Sequence, residues 1–401
     1  MTLPAKYLKA VVISVAAFLL IIQVVVVALN VNAALSGQTD FLSSYAAGQS
    51  IRSGNGRALY AVDRAPDKLS PQVAPVLFDR LAYEALLYVP LSFFSYRNAY
   101  LIFMAVNLAL IAWCVRMLQP YLPRLDQLWH WLPTVVFLCF LPIGLSLIAG
   151  RDSILLLTLV LASAVSFYQE HDFRAGVFLG LALFRPEFAI LIALLFLLWR
   201  RWRIVAGFVA ASAVCLAISV ALTSLAGLEA YLRSTFTWAD QFASMSAPLS
   251  GTAHSTVMPN LWCLPTMVGH RFLSLNSLLA VTAVFAIALI IWTASRPPNF
   301  ALAILIALLV GYHGTICDTV LLILPVAMVM DSRIGAVSGN QLLARNIVGV
   351  FFVAPALFFL LGWNYCLLAL LILALLVPLR STSTGPAPPQ LLGAFWARRQ
   401  S

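Results

Sequence analysis

A small set of ionisable residues stands at or near the ends of long apolar stretches. They are Asp40, Arg151, Asp152, Arg185, His254, His313 and Asp318. A positioned carboxylate or histidine can take the proton from a hydroxyl nucleophile, and the planar guanidinium of arginine matches the geometry of a phosphate. If the fold brings these residues to one side of the molecule, they could line a cavity that binds a phosphorylated compound and activates a hydroxyl group.

Asp40 and Arg185 are the strongest candidates, and each has a plain structural alternative. Asp40 follows the first apolar stretch, where a carboxylate can stay ionised, so it suits a general base. It could equally be the N-cap of a helix that begins beside it. Arg185 stands in the sequence Arg185-Pro186-Glu187, between two apolar stretches. It could bind a phosphate or form an ion pair with Glu187.

The other candidates also have structural alternatives. Arg151 and Asp152 could pair with each other or cap the helix that follows them. His313 could cap or pack at a helix end, and His254 stands in a loop, where a histidine is commonly solvated. These alternatives leave the roles of the four residues open at this stage.

The composition predicts the elements that must position these residues. The chain has 401 residues, of which 62% are hydrophobic and 9% charged, whereas a soluble domain has about 25% charged residues. The apolar stretches are continuous over roughly 18 to 25 residues, the length of a membrane-spanning helix. The sequence therefore predicts an all-α, polytopic transmembrane bundle of about ten or eleven spans. Residues 1–380 would form a single transmembrane domain and residues 381–401 a disordered cytoplasmic tail.

Charge sets the predicted orientation. The net charge is +10, and Lys6, Lys9 and the run Arg200-Arg201-Trp202-Arg203 lie where short cytoplasmic segments are expected. Both termini are therefore predicted to be cytoplasmic, and the excess of positive charge calls for no nucleic-acid partner. The six cysteines have no metal-like spacing, and the chain has no DxD-like acidic pair. We therefore expect no metal and no other cofactor.

Two long outer loops, at residues 33–97 and 224–271, and one broken helix pair complete the expected layout. Residues 175–184 give about ten residues of helix, roughly 15 Å, too short to cross a core of about 30 Å. Arg185 and Glu187 follow, and a second apolar stretch ends near Trp199. Charges at that depth must face protein or a water-filled cavity. The sequence leaves open whether residues 175–199 are re-entrant or form two short crossings.

Several motifs, taken in order, resemble one family. The segment DFLSSYAAGQSIRSGNGRALY begins at Asp40 and includes Tyr45, and AGRDSILLLTLVL, RAGVFLGLALFRPEF and YHGTICDTVLLILP follow it. Over residues 38–330 this order resembles glycosyltransferase family 87, membrane enzymes of the GT-C type related to polyprenyl-phosphate-mannose-dependent α-mannosyltransferases. Arg151 stands where the family pattern has glutamine, and Arg185 stands where it has lysine.

The resemblance implies a reaction and a set of roles. A sugar, expected to be mannose, would pass from a polyprenyl-phosphate donor to a lipid or glycan acceptor at the outer face of a membrane, the inner (cell) membrane of a bacterium. Asp40 and His313 would be catalytic. The residues implied in binding the donor phosphate or lining the cavity are Arg185, Arg151, Asp318, His254 and Tyr45. A lipid-phosphate donor carries no nucleotide diphosphate, so no metal is needed to bridge it.

Two other functions fit part of the pattern. Broken helices and buried charges are also typical of a transporter or flippase for a lipid-linked or small solute, although the chain shows no clear internal repeat and its long first loop has no purpose in transport. A non-catalytic membrane scaffold would instead use its loops to bind a partner and its polar residues for structure.

Overall fold

The computed structural model describes residues 5–60, 78–244, 260–263, 275–311 and 314–333, and within these ranges the secondary structure is helical, without strands. The α-helices, numbered α1 to α14 in chain order, are Ala5–Leu35, Phe41–Arg52, Ala82–Tyr88, Tyr96–Leu118, Pro123–Leu128, Leu132–Cys139, Leu141–Ala149, Ser153–Tyr168, Asp172–Leu181, Pro186–Leu198, Trp202–Ser244, Leu275–Ala294, Phe300–Val310 and Ile323–Arg333. A 3₁₀ segment, Ile316–Leu322, leads into α14.

The helices confirm the predicted all-α membrane bundle. Among the described residues, the segments Ile13–Leu35, Tyr96–Tyr121 and Trp202–Arg233 are long and apolar enough to cross a membrane, and α6 with α7 adds a fourth if the bent pair counts as one span. Several other predicted spans coincide with shorter apolar helices, α8, α10 and α13 among them. The predicted spans at residues 346–362 and 365–379, and the tail at 381–401, lie outside the described residues.

The predicted third span, residues 131–149, is bent by 54° between α6 and α7. The cause is Pro142, which has no N–H to bond back to the carbonyl of Leu138 four residues earlier. That freed carbonyl oxygen accepts a hydrogen bond of 2.5 Å from Gln23 Nε2 of α1. A polar side chain on a neighbouring helix thus satisfies the backbone at the bend, as a membrane interior requires.

The second predicted outer loop differs from the expectation. Residues 225–244, placed in that loop, are helical and continue α11 to Ser244. The chain bends at Ser224, whose φ of 70° and ψ of 171° lie outside the helical region, and then resumes the helix. The break expected near Arg185 is present, because a 3₁₀ turn at Ala182–Phe184 follows α9 and Pro186 starts α10.

Glycines bring α9 and α11 into backbone contact. Gly176 and Gly180 are four residues apart on α9, the spacing that lets membrane helices approach closely. A Cβ on Gly176 would overlap the carbonyl of Ile204, and a Cβ on Gly207 would overlap the carbonyl of Phe173. No side chain larger than glycine fits these positions without moving one helix, and α9 leads directly to Arg185.

We expect Gly207→Val to destabilise the protein by about 1–3 kcal/mol, because the added side chain would push α11 away from α9. The midpoint of thermal unfolding in detergent, followed by the loss of the monodisperse peak in size-exclusion chromatography, measures this effect. Ala206→Val is the matched control, since Ala206 is the preceding residue and is exposed on the same helix. Equal midpoints for the two variants would show that the contact does not limit stability.

An aromatic cluster holds the start of α2, the helix that directly follows Asp40. Phe41 is fully buried, and its ring lies 5.6 Å from that of Tyr96 and 5.6 Å from that of Tyr100. Tyr45 is also buried, and its hydroxyl donates a 2.7 Å hydrogen bond to the carbonyl of Phe94. Asp40 is therefore attached to a rigidly packed helix, which limits where its carboxylate can lie.

Candidate active site

The turn between α7 and α8 delivers two charged residues in succession. Gly150 ends α7 in the left-handed conformation, with φ of 65°, and Arg151 N–H bonds to Ser146 C=O at 3.1 Å. A side chain at Gly150 would be strained in this conformation and would also overlap Phe41. Glycine is thus required at this turn, which presents Arg151 and Asp152 next to each other at the start of α8.

Arg151 does not pair with Asp152, its neighbour in sequence. Its Nε forms an ion pair with Asp40 Oδ2, and its Nη1 donates to Thr315 Oγ1 at 2.7 Å. The Asp40 side chain makes no capping hydrogen bond to α2. This pair is the accessible part of the site, because the Arg151 side chain is 22% exposed and that of Asp40 is 49% exposed.

Asp318 links this pair to the interior. Its Oδ2 accepts bonds from Thr315 N–H at 2.8 Å and from the Thr315 hydroxyl at 2.9 Å, which caps the 3₁₀ segment that follows. Its Oδ1 accepts a bond from the Ser153 hydroxyl at 2.9 Å. Asp318 is fully buried, so these bonds fix its position and, through Thr315, one side of the Arg151 guanidinium.

Arg185 lies among carboxylates. It is fully buried, and its Nε and Nη2 bind the two carboxylate oxygens of Asp152 at 3.0 and 2.6 Å. Its Nη2 lies 3.4 Å from Asp318 Oδ1, and its Nη1 lies 3.5 Å from Glu187 Oε1. The ion pair with Glu187 is therefore present beside a shorter, two-bond pairing with Asp152. Carboxylates occupy the position around this guanidinium where the sequence suggested a phosphate.

Two further charged residues come from the segment before α4. Arg80 Nε donates to Asp152 Oδ2 at 2.7 Å, so Asp152 is shared between two arginines and does not cap α8 through its side chain. Glu84 is fully buried on α3, and its Oε1 accepts a bond from the Tyr88 hydroxyl at 3.2 Å. Burial, and then the negative charge of Asp152, raise the pKa of Glu84 well above its usual range, which favours its protonated form.

The charged residues form one continuous network, in which the hydroxyl of Thr315 links Arg151 to Asp318. In order, its members are Asp40, Arg151, Thr315, Asp318, Arg185, Asp152, Arg80 and Asp79. Asp40 and Arg151 lie at an accessible end, whereas Arg185, Asp152 and Asp318 are at most 4% exposed. The structure thus brings together four of the predicted site residues, Asp40, Arg151, Arg185 and Asp318. The hydroxyl of Tyr45 donates its hydrogen bond to a backbone carbonyl. His254 and His313 lie outside the described residues.

Besides the exposed Asp79, sequence reasoning missed four members of the site. Arg80 and Glu84 stand in a segment with many charges, where nothing in the sequence distinguishes them from solvated residues. Ser153 resembles any serine at a helix start. Thr315 did carry a signal, because threonine three residues before Asp318 has the spacing of a capping box.

The model of glycosyltransferase family 87 matches residues 84–325. The chain therefore belongs to glycosyltransferase family 87, and it is a membrane glycosyltransferase. The match covers Arg151, Asp152, Arg185 and Asp318 and begins after Asp40. No curated protein and no solved structure matches the chain. Family membership favours the enzyme over the transporter and the scaffold that the sequence left open.

Proposed function

We propose that this glycosyltransferase moves a sugar, expected to be mannose, from a polyprenyl-phosphate donor to a lipid or glycan acceptor at the outer face of a bacterial inner membrane, with both termini in the cytoplasm. The observation that carries the proposal is the Asp40–Arg151 pair. It sets a carboxylate beside a guanidinium at an accessible end of a network whose central members, Asp318, Arg185 and Asp152, are buried. A group that takes a proton and a group that binds a phosphate are both required by this reaction.

Asp40 is the proposed general base. An acceptor hydroxyl oxygen attacks the anomeric carbon of the donor sugar, and Asp40 takes the hydroxyl proton as the new C–O bond forms. The bond between the anomeric carbon and the phosphate oxygen breaks, and the phosphate leaves with the bonding electrons. His313, which follows α13 in sequence, is proposed to assist Asp40 or to orient the donor phosphate.

Arg151 is the proposed partner of the donor phosphate. The leaving phosphate gains negative charge, and a guanidinium that binds it through two parallel bonds stabilises that charge. Arg185 is buried among carboxylates, so we assign it the task of holding Asp152 and Asp318 in place behind Arg151. Asp318 fixes Thr315, and His254 and Tyr45 remain proposed cavity residues.

The donor class is tested with purified protein in liposomes that contain an acceptor lipid extract. We expect label to pass to the acceptor from a radiolabelled polyprenyl-phosphate sugar, with mannose, glucose, galactose and N-acetylglucosamine compared in parallel. The matching nucleotide sugar should give no product, and a metal chelator should leave the rate unchanged, because the donor has no diphosphate to neutralise. Transfer from the nucleotide sugar alone would contradict the proposal.

A further inference from the structure

One oxygen of the candidate base already has a partner in the structure. Asp40 Oδ2 accepts a bond from Arg151 Nε, so the oxygen and the guanidinium edge that face each other are both in use. A phosphate that binds the Nε edge of Arg151 must displace Asp40 Oδ2, whereas Asp40 Oδ1 keeps its lone pairs. The donor phosphate and Asp40 therefore compete for the same edge of Arg151.

The two sides of the Arg151 guanidinium are held differently. Nη1 bonds to Thr315 Oγ1 at 2.7 Å, and Thr315 is fixed twice by the buried carboxylate of Asp318. Nε bonds to Asp40, whose side chain is 49% exposed. The guanidinium can therefore exchange its exposed partner while it stays anchored at Thr315. An incoming anion that replaces Asp40 would also leave the charge around Arg151 balanced.

We propose that the Asp40–Arg151 pair is a latch that the donor phosphate opens, an inference that rests on the proposed function. The phosphodiester of the donor takes the place of Asp40 at Arg151 Nε, because a phosphate oxygen satisfies the same donor geometry as a carboxylate. Asp40 is then free to accept the proton of the acceptor hydroxyl. Donor binding therefore releases the Asp40 carboxylate from the guanidinium before Asp40 acts as the base.

Competition for Arg151 has a measurable consequence. A phosphate that must displace Asp40 binds more weakly than one that meets a free guanidinium, because the apparent affinity falls with the fraction of Arg151 that is available. The energy of partly exposed ion pairs corresponds to about a twofold to fivefold change in a binding constant. Asp40→Asn should therefore bind a polyprenyl phosphate about twofold to fivefold more tightly than the wild type does.

The experiment measures the dissociation constant of a short-chain polyprenyl phosphate for the purified full chain in nanodiscs, at fixed ionic strength. We expect Asp40→Asn to tighten binding, Arg151→Gln to weaken it by about tenfold or more, and the double variant to equal Arg151→Gln. Glu229→Gln is the matched control, because it also removes a carboxylate from an exposed ion pair, that of Glu229 with Arg233, and should not change the affinity. Chromatographic monodispersity verifies that each variant is folded.

The outcomes separate the latch from the proposed function. If Asp40→Asn and the wild type bind polyprenyl phosphate equally, the latch is refuted. The latch is also refuted if Asp40→Asn tightens binding as much in the Arg151→Gln background, because the effect would then come from long-range electrostatics and not from competition for Arg151. If the wild type binds no polyprenyl phosphate at all, the proposed donor class fails and the latch fails with it. If binding follows the expected cycle, the donor phosphate contacts Arg151 and competes with Asp40.

Discussion

Asp40→Asn should lower the turnover number for sugar transfer by about 10²- to 10⁴-fold, the range that a positioned general base contributes. Asparagine keeps the size of the side chain and its ability to bond to Arg151, but it cannot take the proton of the acceptor hydroxyl. The donor KM should not rise, because the uncharged asparagine competes less strongly for the guanidinium than the carboxylate does. A large loss in turnover without a loss in donor affinity distinguishes a lost base from a disturbed binding site.

The fold should survive this substitution. Asp40 is 49% exposed, and its side chain makes no capping bond to α2, so its loss leaves no buried charge without a partner. Initial rates at saturating donor and acceptor, together with the midpoint of thermal unfolding, check both halves of the prediction. Glu229→Gln should match the wild type in both. A turnover number for Asp40→Asn within a factor of two of the wild type would assign the proton transfer to another group.

The sequence predicted the fold class and where the polar residues stand relative to the helices, because both depend on local patterns. Apolar length identifies membrane helices, and Pro186 beside a charged residue marks the break after α9. The bend at Phe140 could also have been predicted, since Pro142 lies within the expected span. The continuation of α11 beyond Ser224 could not, because residues 225–244 mix apolar and charged residues in a way that also fits a loop.

The pairings within the site depend on tertiary geometry, and the sequence offered the wrong neighbours. Arg151 is adjacent to Asp152 but pairs with Asp40, which is 111 positions away. Asp152 pairs with Arg185 and Arg80, 33 and 72 positions away. The left-handed turn at Gly150 comes before both charges, and the residue types do not predict which side each one faces. The family motifs identified the residues, and the fold determines their partners.

Arg185→Met should be the most damaging substitution to the fold, with a loss of about 3–5 kcal/mol in the free energy of unfolding. Methionine fills a similar volume but leaves Asp152, Asp318 and Glu187 without the guanidinium that holds them together. Arg80 continues to neutralise part of the charge on Asp152, but Asp318 and Glu187 have no second arginine within ion-pair distance among the described residues. A buried carboxylate without a cationic partner is strongly unfavourable.

Arg185→Lys is the matched control, and it also decides what Arg185 does. Lysine keeps the charge but cannot reproduce the two parallel bonds to Asp152, so we expect a folded protein with an intermediate unfolding midpoint and a donor KM close to that of the wild type. If Arg185→Lys instead keeps its full stability and raises the donor KM tenfold, Arg185 contacts the donor phosphate directly. The comparison works because stability reports on the carboxylates around Arg185, whereas donor KM reports on the phosphate, and the two roles change different measurements.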